Sequence, residues 1–242
     1  MNDCAGACNA GSLFFANLNR LFNLFSSSPK RWELIRQHGF SLHSQSTTRW
    51  SARLEAVKPL FKHYNEILDA LDRLVETQLS PDDEACGVAE SLAQYFCSFE
   101  AVVLTATWYH LLRKANAASV KLQDKKMALS GEVEIIQELI NDVSSCKESW
   151  KDVRHGCSEM AEALDLSVDF TSYFNRYHRR LRRALPASDE EKERHFITNV
   201  YEPMHDACLS SLRERFEDTR KLVNTFACLW EYPGMSDDQI KL

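Results

Sequence analysis

The chain reads as all-α, a multi-helix bundle of long amphipathic helices, on three observations. Glycine and proline are scarce, 7 and 6 among 242 residues, so tight turns are few. Leu, Ala, Glu, Lys and Arg are abundant, and these are good helix formers. Apolar residues recur at steps of three and four, while almost no run alternates as a strand would. At this length the chain buries a substantial core, as one large or two small domains.

Taken in order, Ser12 to Phe25 predicts an amphipathic helix with Leu13, Phe14, Leu18, Leu21, Phe22 and Phe25 inward. Ser28 and Pro29 start a short second helix, proline being tolerated in a first turn; it carries Lys30, Arg31 and Trp32 and ends near Gly39. Residues 40–47 are a polar loop, or at most one short strand. From Thr48 a long helix runs to about Gln78, with Leu60, Tyr64, Ile67, Leu71 and Leu74 along one seam. Pro59 is expected to kink or divide it.

Ser80-Pro81-Asp82-Asp83-Glu84 reads as the next helix start: a capping serine, a first-turn proline, and acids at the positive end of the dipole. That helix should reach about Ala118. Its stretch Val102 to Leu112 is apolar on most sides, too short to span a membrane but suited to the centre of a bundle. A further helix covers Gly131 to Cys146, with Val133, Ile136, Leu139, Ile140 and Val143 on one side. It continues through Trp150 and Val153 to Leu164, as one helix or two. The last covers Pro203 to Leu229, with Leu209, Leu212, Phe216, Val223 and Phe226 as its inner stripe. The clearest boundary is the Pro- and charge-rich run from Leu185 to Arg194, which places a linker at 186–194.

Two stretches are candidates for nucleic-acid contact. In Thr48-Arg49-Trp50-Ser51-Ala52-Arg53-Leu54, Arg49 and Arg53 share a helix face beside Trp50. An aromatic flanked by arginines suits an unstacked base held against phosphate; the plain alternative is a buried Trp with solvated arginines. The most basic stretch holds Arg176, His178, Arg179, Arg180, Arg182 and Arg183, interleaved with Tyr173, Phe174 and Tyr177. Arg176, Arg179, Arg180 and Arg183 fall on one helical face and would meet several phosphates together. A nuclear-import address and a solvated helix end are the competing readings. The formal net charge of −6 argues against a general polyanion binder, without excluding a local basic face, because salt screens charges beyond roughly 8–10 Å.

Signs of catalysis or a resident metal are lacking. No acid falls at the end of a buried strand, where a two-metal site is built, and the chain has no Gly-rich phosphate loop, no His-Glu-x-x-His and no nucleophile elbow. Glu162, Asp165 and Asp169 read as surface acids. The eight cysteines, Cys4, Cys8, Cys86, Cys97, Cys146, Cys157, Cys208 and Cys228, include no Cys-x-x-Cys pair, and most sit in apolar helical patterns as small hydrophobes. Cys4 and Cys8 with His38 and His43 make a poor zinc spacing. The expectation is no metal, no cofactor, no small-molecule substrate, no signal peptide, and a reduced intracellular setting, nuclear or cytoplasmic.

The same residues resemble the hAT superfamily of DNA transposases, in the branch found beside MYM-type and TTF-type zinc fingers. The likeness is carried by Asn2-Asp3-Cys4-Ala5, by Phe14-Phe15 through Leu24-Phe25-Ser26-Ser27-Ser28-Pro29-Lys30-Arg31-Trp32, and by Thr48-Arg49-Trp50 with Arg53 and Glu55-Ala56-Val57. It continues in Trp108-Tyr109, Leu111-Leu112, Asn116, Ser119 and Leu122-Gln123, and in Arg213-Glu214-Arg215-Phe216. The resemblance implies an RNase H-like core, with an Asp-Asp-Glu metal site, into which a large helical domain is inserted. The matching residues begin after both family aspartates and stop before the glutamate. On that reading residues 1–47 flank the RNase H-like core, 48–185 are the helical insertion, and 195–242 form a C-terminal helix. It further implies a catalytically incomplete chain that retains DNA binding, with Trp50 stacking on a displaced base and Arg49, and less surely Arg53, beside it. The alternatives are a helical module for a protein partner or self-association, and a truncated gene fragment without independent function.

Overall fold

The computed structural model of the chain describes residues 6–45, 50–76, 83–123, 129–181 and 187–231. Among them the regular structure is entirely helical. The helices are α1 (Asn9–Ser26), α2 (Pro29–Arg36), α3 (Trp50–Lys62), α4 (Tyr64–Glu76), α5 (Asp83–Phe96) and α6 (Phe99–Leu122). They are followed by α7 (Leu129–Glu148), α8 (Trp150–Ala163), α9 (Thr171–Leu181), α10 (Asp189–Phe196), a π-helical turn (Ile197–Tyr201) and α11 (Glu202–Glu231).

Helix α6 is the axis of the fold. It packs against α1, α3, α5, α7 and α8, and every residue from Phe99 to Trp108 is buried. The stretch Val102 to Leu112, which the sequence assigns to a bundle centre, is buried except at Tyr109 and His110. Each large apolar side chain so buried contributes about 1.5–3 kcal/mol relative to exposure. Outside this axis, α11 lies along α7, α4 pairs with α5, and α9 with α10. The buried apolar residues form one contiguous core from Ala10 to Leu212.

Several boundaries differ from those the sequence predicts. The expected division near Pro59 falls instead at His63, one turn later. Pro59 lacks an N–H to donate back to its preceding turn, yet its own carbonyl accepts from His63 N at 2.8 Å, and the helix carries on past it. The helix expected to reach Ala118 is broken at Cys97-Ser98, where Ser98 Oγ accepts from Ala101 N at 3.4 Å and caps α6. Ser80-Pro81 lies outside the described residues. The run from Gly131 to Leu164 is two helices, parted at Ser149.

The largest departure is the linker. Residues 189–194 are helical, opened by a capping box in which Ser188 Oγ accepts from Glu191 N and Glu191 accepts from Ser188 N. Within α10, Glu193 accepts from Trp150 Nε1 at 2.9 Å and Arg154 Nε at 2.7 Å, tying it to α8. Residues 40–45 are a loop with no strand, pinned by Gln45 Nε2 donating to the Phe15 carbonyl at 2.9 Å. In α1, Leu13 faces out at 37 % exposure, and Phe15 and Leu24 are buried beside the expected residues. The side chains of Val223 and Phe226, expected on the α11 stripe, lie outside the described set; Leu209 and Leu212 are buried as expected.

Candidate functional site

Of the seven predicted DNA-contacting residues, the structure describes the side chains of two, on different helices. Arg49 and Arg183 lie outside the described residues. Trp50 opens α3, and Arg179 and Arg180 fall in the last turn of α9, where the backbone alone is described. That leaves Arg53 and Arg176 with placed side chains, and both point into the protein.

Arg53 is only 9 % exposed. Its guanidinium sits over the Phe15 ring, 4.9 Å from the centroid, and Phe15 in turn meets Trp108 edge-on at 5.0 Å. Position 53 of α3 faces α6 because Leu54, Val57 and Leu60, which are buried, bring that side of the helix inward. A cation held against an aromatic face in the interior is a packing element; a phosphate in solvent does not reach it. The expectation that Arg53 contacts DNA is therefore corrected.

Arg176 is corrected for a different reason. It leaves α9, crosses to the first turn of α6 and pairs with Glu100. Glu100 is 1 % exposed, so its charge requires a partner. It receives two stabilising influences: the guanidinium of Arg176 and the positive end of the α6 dipole. The Arg176 guanidinium also lies 5.5 Å from the centroid of the Tyr95 ring. A residue engaged in this way is withdrawn from the basic stripe it was read into.

What remains of α9 explains how its end is held. Tyr173, Phe174, Tyr177 and His178 form an aromatic side facing α10. Tyr173 packs edge-on against Phe196 at 5.2 Å, and its hydroxyl hydrogen-bonds His195 Nδ1 at 3.0 Å. Tyr177 and Phe174 both contact the His195 ring. Burial lowers the pKa of His195, with neighbouring His178 adding to the effect. The interleaved aromatics of the basic stretch are thus structural, clamping α9 on one side while Arg176 clamps it on another.

Between α1 and α9 lies a cavity of about 500 Å³, with Glu100 and Arg176 among its lining residues and Leu13, Tyr173 and Tyr177 beside them. Among the described residues, the large exposed hydrophobics are Leu13, Val120 and Tyr177; two of the three flank this groove. Sequence reasoning missed Glu100 as a site residue and noted it only as a flank of the apolar run. A carboxylate inside a buried helix was the available signal, since such a charge has to be paired.

The remaining acids and thiols take local roles. Asp169 Oδ1 accepts from Thr171 N at 2.7 Å at the start of α9. Asp165 occupies the left-handed region, φ 58°, just after α8 ends. Cys8 Sγ caps α1 by accepting from Gly11 N at 3.3 Å. Among the described residues, the cysteines are free, no group of three His, Cys, Asp or Glu is placed to hold a metal ion, and no helix is long and apolar enough to cross a membrane.

Fold and site together define an all-α bundle around an axial helix buried from Phe99 to Trp108, in which two arginines turn inward. Comparison with protein-family models, with curated proteins and with solved structures finds no match to this chain.

Proposed function

We propose that the chain is a catalytically incomplete, hAT-transposase-derived module that binds DNA through the basic end of α9. The observation that carries this reading is the anchoring of α9. One side of the helix is locked to α10 by Tyr173, Phe174 and Tyr177, and Arg176 is locked to Glu100. The helical backbone then continues through positions 179 and 180 toward Arg182 and Arg183. A cationic run leaving a rigid base loses less conformational freedom on meeting a phosphate backbone than one on a free tail. Arg53 and Arg176 drop out of the DNA-binding set and act as supports. Arg49, Trp50, Arg179, Arg180 and Arg183 remain in it, and a nuclear location goes with this reading.

The test is a salt titration of binding to a duplex with frayed ends. Each phosphate that a cation neutralises adds about 0.7–0.9 to the steepness of log K against log salt. Replacing Arg179, Arg180 and Arg183 by Ala should weaken binding and flatten the slope by about two to three units. Unchanged affinity and slope in the folded triple variant would remove DNA from the reading.

The groove between α1 and α9 favours a second reading, a helical protein partner or a second copy of the chain, because it gathers exposed Leu13 and Tyr177. Sedimentation of the wild type against Leu13→Asp addresses it: an association that this change abolishes supports docking, and a monomer at all concentrations leaves the groove without self-association.

A further inference from the structure

A second cavity, of about 450 Å³, lies further along the axial helix, at Ala106 to Lys114. It is walled by α3, α6, α7, α8, the π-helical turn and the start of α11, chiefly through Phe61, Leu111, Val153, Met160 and Tyr201. Its size falls within the range of small-molecule sites, and such sites combine apolar walls with a few placed polar groups.

The polar group here is His205, buried at 0 % exposure on the first turn of α11. Its Nδ1 donates to the Tyr201 carbonyl at 2.7 Å. A carbonyl only accepts, so the Nδ1–H tautomer is set and Nε2 is left as a bare acceptor. That nitrogen is sealed from solvent and has no partner. A buried acceptor without a donor costs about 1–3 kcal/mol. The carbonyl it bonds belongs to the π-helical turn, and such turns concentrate at functional sites.

Three donors of the lining are already committed and a fourth group is inert. The Thr107 hydroxyl is committed to the Val103 carbonyl at 2.7 Å, and the Tyr201 hydroxyl to the Cys146 carbonyl at 2.5 Å. Burial pushes the Cys157 thiol up to about 12, so it stays neutral and unreactive. Lys114 is held by Asp142 at 3.0 Å. Burial also lowers the pKa of His205 and keeps its ring neutral. One wall is left open by a glycine: Gly156 sits inside α8, and a Cβ built there would meet nothing within 4 Å. A glycine inside a helix costs about 0.5–1 kcal/mol relative to alanine.

From this we infer that the cavity binds a neutral, largely apolar small molecule carrying one hydroxyl or amide N–H, which donates to His205 Nε2. The adaptable Met160 on the same wall gives the small movement that seats the donor. This site is independent of the basic end of α9 and of DNA. It differs from the sequence-based expectation of no small-molecule substrate.

A matched pair of probes tests it: 2-naphthol, which has the donor, and 2-methoxynaphthalene, which has the same ring and none. Binding to the full chain is followed by fluorescence, and the His205 ring nitrogens by nitrogen NMR. The expected result is that 2-naphthol binds about tenfold more tightly than its methyl ether, the value of one buried hydrogen bond. The Nε2 resonance should shift on addition of 2-naphthol and Nδ1 should not. His205→Asn, which keeps a donor for the Tyr201 carbonyl and deletes Nε2, should bring the two probes level. Gly156→Phe, which fills the cavity from an exposed helix position, should abolish binding of both and keeps the test open if the His205 variant does not fold. Equal affinities in the wild type, an unmoved Nε2 resonance, or undiminished binding to folded Gly156→Phe would overturn the inference.

Discussion

Glu100, in the first turn of α6, and His205, in the first turn of α11, are two buried polar side chains handled by different physics. The carboxylate of Glu100 is answered by the Arg176 guanidinium and by the helix N-terminus. His205 gives up its charge, because no carboxylate pairs with it and burial favours the neutral ring. The first solution fixes a joint between α6 and α9 and consumes a cation that would otherwise face solvent. The second leaves an acceptor unspent beside a cavity. The buried charge is therefore used up as structure, and the buried neutral ring retains an acceptor with something still to bind.

Breaking the charged side should cost most. Arg176→Met leaves the Glu100 carboxylate buried without its partner. Removing one member of a buried pair costs about 3–5 kcal/mol, and the low end applies because the Arg176 side chain is 33 % exposed. A loss of about 3 kcal/mol in urea unfolding is expected. Adding Glu100→Leu to the same chain should recover most of it. If Arg176→Met alone is neutral, the pair contributes nothing and Arg176 returns to the set of surface cations.

The neutral side should show itself through pH. The pKa of His205 in the folded chain is below its ordinary value of 6.5. Above 6.5 both folded and unfolded states carry a neutral ring, and stability is at its full value. Below it the unfolded chain takes up the proton first, so stability falls as pH drops toward the folded pKa and levels beneath it. The slope is at most about 1.4 kcal/mol per pH unit for one proton. Lys147 and Asp206, paired with each other at 2.5 Å, are the charges next to His205, and Lys114, Asp152 and His110 face the same cavity. Burial lowers the pKa of His110 and His195 too, and both add to the trend. The difference in slope between wild type and His205→Asn isolates the one ring; identical slopes would mean that folding leaves the His205 pKa unshifted.

The sequence made the fold class and the axial helix readable because both rest on local periodicity. Val102 to Leu112 needed only its apolar character to be placed at the centre, and the buried run begins three residues earlier, at Phe99. The helix breaks at His63 and Ser98 were harder, since the apolar pattern runs through both and only Ser98 caps the helix that follows it. The linker expectation failed at 189–194 because acids in a first turn look like solvated charge until Glu193 is seen against Trp150 and Arg154. For the site, the arginines were visible but their direction was not. Whether Arg53 meets Phe15 or water depends on which face of α3 lies on α6, and whether Arg176 turns inward depends on a carboxylate far away in sequence. His205 carried no sequence signal, because its importance lies in a bond to the carbonyl of a π-helical turn.

Arg53 sharpens the contrast between packing cation and binding cation. Arg53→Met preserves the apolar stem and removes the charge over Phe15. Cation–π pairs of this kind contribute about 0.5–2 kcal/mol, so a loss of about 1 kcal/mol is expected, with DNA affinity unchanged in the folded variant. A drop in DNA affinity with no change in stability would restore Arg53 to the binding surface.

Gly156→Ala gives the smallest effect, and its sign is opposite to the others. Glycine in a helix interior is disfavoured by about 0.5–1 kcal/mol relative to alanine, because the unfolded chain has more freedom to lose. At most sites a new methyl must also find room. Here nothing lies within 4 Å of the added Cβ, so the helix gain should appear undiminished. The variant is expected to be more stable by about 0.5–1 kcal/mol, a rise in Tm of roughly 1–4 °C for a chain of this length. A methyl is also too small to fill a cavity of about 450 Å³, so 2-naphthol should still bind. Stabilisation with binding retained places the glycine at an open wall. A destabilised alanine variant would show that α8 closes over the cavity more tightly than its backbone suggests, and would count against a ligand seated there.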